Sequence, residues 1–174
     1  MSLLAYTFRQ PVGFPGDVQR ADSGNTIESQ VVDLTTSGAT PYAYGLPLKI
    51  GSNSKMQLLG TLTSDTAALL YGFNVRPYPV QATNYPGDAL GTTTPPSTPG
   101  VIDVLRRGYI VVQLNNTTAA AKGSAVYVRV NNATGLLPLG GIEAAAGTGL
   151  IALTNAIFEG PADSNGYVTI AFNI

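Results

Sequence analysis

The stretch Val126-Tyr127-Val128-Arg129-Val130 alternates strictly. In an extended chain this period places Val126, Val128 and Val130 on one face and Tyr127 and Arg129 on the other, the pattern of a half-buried strand. The end of the chain repeats it over eight positions. Val168, Ile170, Phe172 and Ile174 face one way, and Tyr167, Thr169, Ala171 and Asn173 the other. A strand of that length suits a central or barrel position. Ahead of it, Ala156-Ile157-Phe158-Glu159 and the turn-rich 160–166 supply the first strand and loop of a hairpin, since Asn165-Gly166 readily takes positive φ. A second hairpin is predicted from 102–105 and 109–114, with Arg106-Arg107-Gly108 at its turn. Further strands are expected over 26–34, 48–50, 56–59 and 69–75.

Helical periodicity is scarce because Thr, Gly and Pro interrupt every long window. One turn at 65–70 and a few helix-favouring residues at 143–146 are all that qualify. Many short strands with frequent turns predict an all-β chain, a single small β-barrel or β-sandwich (jelly-roll-like) domain over 21–174. Two segments stand outside it. Residues 1–20 carry Pro11, Gly13, Pro15 and Gly16 and read as an extended N-terminal arm. Residues 81–100 form a long Pro/Gly-rich loop whose one charge is Asp88; loops of this length are usually functional or disordered.

With 174 residues, the chain is long enough to bury roughly 70% of its unfolded surface. It has no cysteine, so packing alone must hold it. Charged residues make up 11% against about 25% in ordinary domains, and the net charge is -1. So sparse a surface favours association. No basic footprint for nucleic acid is present, and no apolar run reaches the length of a membrane span. The N-terminus lacks the features of a secretory signal, which predicts synthesis in a cytoplasm.

The absence of histidine removes Ser-His-Asp triads, histidine bases and histidine metal sites. Gly147-Thr148-Gly149-Leu150-Ile151-Ala152 has dinucleotide-loop spacing but no βαβ surroundings. The ten acids are dispersed without calcium-loop spacing. A glycosidase-like carboxylate pair could be drawn from Asp65, Asp103, Glu143 or Glu159, yet nothing pairs any two. The reading is therefore of a non-enzyme with no catalytic residue, metal or cofactor. Interface chemistry is better represented. Leu3, Leu4, Tyr6, Phe8 and Phe14 lie on an arm without a local core to cover them. Tyr42, Tyr44, Tyr71, Tyr78 and Tyr85 crowd the middle of the chain, and Arg106 and Arg107 suit contacts to carboxylate or phosphate. The candidate partner-binding set is Leu3, Leu4, Tyr6, Phe8, Phe14, Tyr78, Tyr85, Arg106 and Arg107.

In order, Phe14-Pro15-Gly16-Asp17-Val18-Gln19-Arg20-Ala21-Asp22 leading to Thr26-Ile27-Glu28-Ser29, Tyr44-Gly45-Leu46-Pro47-Leu48, Val104-Leu105-Arg106-Arg107-Gly108-Tyr109-Ile110-Val111-Val112 and Ala121-Lys122-Gly123-Ser124-Ala125-Val126-Tyr127-Val128 resemble the structural cement proteins of tailed phages. The closing strand pair from Ile157-Phe158 to Asn173 fits as well. The resemblance implies a capsid decoration protein on the outer surface of a virion, made in the host bacterial cytoplasm, that stabilises the shell. Its implied partners are the major capsid protein and its own copies as a homo-oligomer, a trimer first and a dimer second. It implies no catalysis and no cofactor. The competing reading is a receptor- or carbohydrate-binding β module of a tail fibre or other virion component, with exposed tyrosines stacking on sugars. An enzyme of the carboxylate-pair or Tyr/Arg lyase type comes third.

Overall fold

The computed structural model describes residues 12–20, 24–77, 100–116 and 118–174. Among these the regular structure is β apart from one 3-10 turn: β1 Val18–Gln19, β2 Thr26–Val31, β3 Pro47–Ile50, β4 Met56–Leu58, β5 Leu70–Val75, β6 Val101–Gln113, β7 Ala125–Arg129, β8 Ile142–Glu143, β9 Leu150–Phe158 and β10 Tyr167–Phe172. The helical turn expected at 65–70 is a 3-10 turn at Ala67–Leu69. All strand ladders are antiparallel, in the order β4-β3-β5-β6-β10-β9-β7-β8, with β1 and β2 also on β6.

The predicted hairpin over 102–114 does not form. Those residues make one 13-residue strand, β6, and Arg106-Arg107-Gly108 is a bulge inside it. Pairing with β2 skips Arg106, running from Thr26↔Arg107 to Ile27↔Leu105. The inward face shifts accordingly. Leu105 packs into the main core before the bulge, and Ile110 and Val112 after it, so odd positions give way to even ones. An extra residue on one strand does this. Gly108 holds φ at +134°, and a Cβ there would lie 2.2 Å from the Asn25 side-chain oxygen. Only glycine fits both demands.

The bulge lets one strand serve two ladders. Its first half lies between β2 and β5, its second between β1 and β10. Both ends of the sheet curl back, because parallel bridges join Val32 to Met56 and Leu114 to Ile142. Val32, Leu48, Met56, Ile102 and Val104 fill the smaller lobe. The larger core draws on both sides of the bulge, and Phe73 of β5 meets Phe172 of β10 edge to face at 5.1 Å.

The remaining strands follow the period-2 pattern. Val126, Val128 and Val130 are buried, as are Val168, Ile170 and Phe172, and β10 is central between β6 and β9. The last strand is shorter than its eight-residue pattern: Asn173 takes φ +54°, ending β10 and leaving Ile174 exposed. Residues 143–146 are not helical, since Ile142–Glu143 pairs with β7. Arg129 sits on the face opposite the valines yet is buried, with a guanidinium nitrogen 2.6 Å from Glu143. Lys49 and Asp65 form a second buried pair at 2.6 Å.

Asp33 follows β2 and is fully buried. Its carboxylate accepts the Thr35 and Thr36 amides, the Thr35 hydroxyl, and the Asn53 and Gln57 side-chain amides. Hydrogen bonds from Thr36, then Thr35 and Gln57, hold it well below the usual carboxylate range against the opposing effect of burial. A depressed folded-state value stabilises the fold at pH values above the unfolded one, about 4, and that contribution is lost as acid protonates the group. Asp33→Asn should therefore be less stable than the parent at pH 7, with the difference shrinking at pH 3. Urea unfolding at both pH values checks this; an equal difference at both would contradict it. Gly108→Ala should cost about 1–3 kcal/mol in the same assay from backbone strain alone, and an unchanged midpoint would contradict the bulge.

Candidate interaction surface

Among the described residues the ladder of β2 runs along β6, and the end of its other edge closes onto β4, where the Asp33 amide donates to the Met56 carbonyl at 2.8 Å. The Val32 amide donates to Gly100 across that ladder at 2.7 Å. By alternation, even-numbered residues of β2 turn their backbone groups toward β6, and Ile27, Ser29 and Val31 turn theirs outward. Val31 faces Val101 across the ladder, and the two are 51% and 49% exposed. Ile27 and Leu34 are exposed too. This apolar stripe borders both ends of the segment 78–99, which lies outside the described residues.

The sequence-predicted residues divide between two clusters. In the first, the Arg106 guanidinium lies 3.6 Å from the Tyr71 ring centroid and 3.6 Å from Glu28. The Tyr71 hydroxyl donates to Glu28 at 2.8 Å, and Gln30 donates to the Tyr71 hydroxyl. Arg106 is thus held by its own chain, whereas neighbouring Arg107 is exposed. In the second, Phe14 sits on a turn closed by its amide to Asp17, and the Arg76 guanidinium stacks 5.0 Å from Phe14 and 5.5 Å from Tyr44. Burial pushes the Tyr44 hydroxyl up, with Arg76 opposing. The two clusters share no residue. Leu3, Leu4, Tyr6, Phe8, Tyr78 and Tyr85 lie outside the described residues.

A third cluster was not singled out from sequence. Arg20, at φ +52°, places its guanidinium 4.2 Å from the Tyr109 ring and 3.4 Å from Glu159. Beside it is an open groove of about 480 Å³ lined by Tyr109, Thr154, Asn155, Ile157 and Asn173. The groove follows from a slip in β9, where pairing to β7 jumps from Leu153 to Ile157 and pushes Thr154 and Asn155 outward. The only warning in sequence is the polar pair Thr154-Asn155 interrupting an apolar run.

The carboxylates weighed for catalysis are each engaged separately. Asp65 pairs with Lys49, Glu143 with Arg129, Glu159 with Arg20, and Asp103 accepts the Ser29 hydroxyl at 2.7 Å. Among the described residues no group of three acidic side chains is placed to hold a metal ion. The chemistry on offer is apolar and cation–π contact. Arg106→Ala should lower stability by about 0.5–2 kcal/mol through loss of its ring contact, and Arg107→Ala should leave the melting temperature within error. Calorimetry of both checks this; equal effects would contradict the division of roles.

No curated protein matches the chain. A chain in the solved capsid of Myoviridae phage XM1 is similar in fold, at 17% identity and a TM-score of 0.64, over 99% of this chain and 98% of that one. The family model for the XM1 gp53 minor capsid protein matches residues 4–172. By that match over nearly its whole length, the chain belongs to the XM1 gp53 minor capsid protein family.

Proposed function

We propose that this protein is a cement protein that binds the outer surface of a tailed-phage capsid as a homo-oligomer, a trimer first, and stabilises the shell without catalysis. The observation that carries the reading is the family match across residues 4–172, which takes in the whole described β body. The exposed Val31–Val101 stripe and the exposed Arg107 are the kind of surface such a role uses. The major capsid protein is the partner this reading requires.

The mechanism is mass action. A ligand that binds only the assembled shell stabilises it by RT ln(1 + [L]/Kd), about 2.7 kcal/mol per site at a hundredfold excess over Kd. Repetition over many sites multiplies the effect. The sugar-binding reading is less well supported, because a guanidinium already covers one face of Tyr44, Tyr71 and Tyr109. Shells lacking the protein should rupture at lower temperature than complete ones, and adding purified protein should restore the difference. Arg107→Ala protein should restore it less well at equal concentration. Identical rupture with and without the protein would refute the cement role.

A further inference from the structure

The link between β7 and β8 runs from Val130 to Gly141 and contains no charged residue. Its stem is fixed from several sides. The Gly140 amide donates to the Arg129 carbonyl at 2.8 Å, and the Val130 and Asn131 amides donate to the Gly149 carbonyl at 2.8 and 3.1 Å. The buried Arg129 guanidinium, held by Glu143, donates to the Asn131 and Asn132 carbonyls at 3.4 and 3.2 Å. On the other flank the Tyr42 hydroxyl donates to the Leu139 carbonyl at 3.1 Å. The body also packs directly on stem backbone. A Cβ on Gly60 would meet the Arg129 carbonyl oxygen at 2.6 Å, and one on Gly149 the Asn131 carbonyl oxygen at 2.5 Å.

Beyond this stem the chain stands free. Thr134 and Leu137 exchange amide-to-carbonyl bonds at 3.0 and 3.1 Å, closing a turn with Gly135 and Leu136 at its apex. No heavy atom lies within 4 Å of a Cβ placed on Gly135. Leu136 is 85% exposed, more than any other large apolar side chain among the described residues.

A leucine at a turn apex does nothing for its own fold, since Gly, Asn, Asp and Ser serve turns better. Isolated exposed apolar side chains are common on protein surfaces. What distinguishes this one is its mounting. The stem is already ordered, so docking the apex immobilises little further chain.

Charge narrows the acceptor. An uncharged apex suits an apolar pocket, because a charge buried beneath it would lose its water without gaining a partner. This chain's own open groove is a poor match, as Thr154, Asn155, Glu159 and Asn173 line it. For a member of a minor capsid protein family, the other protein surface at hand is the shell.

We propose that the 134–137 turn is a docking knob whose Leu136 side chain enters an apolar pocket of the major capsid protein. The inference rests on the reading of the protein as a shell-binding component and names the contact.

Leu136→Glu leaves every stem contact in place and should melt with the parent. Its affinity for undecorated shells should fall at least about tenfold, the scale of burying one leucine, while Leu136→Met binds as the parent does. Ile50→Glu puts the same charge at another exposed apolar position and should also bind as the parent does. A cross-link supplies the second measurement. The chain has no cysteine, so Gly135→Cys carries a single benzophenone label beside the anchor, and illumination of decorated shells should join it to the major capsid protein. Undiminished binding of Leu136→Glu, an equal loss in Ile50→Glu, or a cross-link only to another copy of this chain would overturn the proposal. Parent protein that binds shells with Leu136 indifferent removes the knob alone; parent protein that binds no shell removes the cement reading with it.

Discussion

Everything in this fold depends on β6 passing unbroken through a one-residue bulge. A strand has two edges, and β6 uses both on either side of Gly108, for β2 and β5 before it and for β1 and β10 after it. Without the bulge the side-chain alternation would carry Leu105's face on to Tyr109 and Val111 and turn Ile110 and Val112 out of the main core. The positive φ of Gly108 is what allows one strand to fill two lobes. The Phe73–Phe172 contact then locks the lobes at the place where the sheet changes direction.

The polar groups inside the fold serve the same closure. Asp33 gathers the turn at Thr35-Thr36, Asn53 and Gln57 at the seam where β2 returns to β4. Asp65 receives both Lys49 and the Gly60 amide, tying β3 to the loop after β4. Arg129 joins β7 to β8 through Glu143 and reaches the Asn132 carbonyl. Charge is scarce in this chain, and much of it is committed to the interior. The surface left over is correspondingly poor in charge, which suits a protein that works against other protein surfaces.

The sequence was legible where one period governs one strand. Val126 to Val130 and Val168 to Phe172 are buried as their alternation requires, and the strands from Thr26 to Val75 fall where turn residues bound them. It misled at Arg106-Arg107-Gly108, where two charges and a glycine look like a turn. The distinguishing signal was the slip of apolar positions from Leu105 to Ile110, a parity shift that a hairpin does not need. Buried pairs such as Lys49–Asp65 were beyond reach, because their partners meet only after the sheet has curled. For the interaction surface, Arg106 and Phe14 were visible as residue types, but their partners, the Tyr71 ring and the Arg76 guanidinium, were not.

If the proposed cement role holds, this β body sits on the outside of a phage shell in many copies. Cryo-electron microscopy of purified virions tests it most directly. Density matching the two-lobed β body is expected on the outer capsid face, repeated in small rings on symmetry positions. Density confined to the shell interior or to the tail would contradict it.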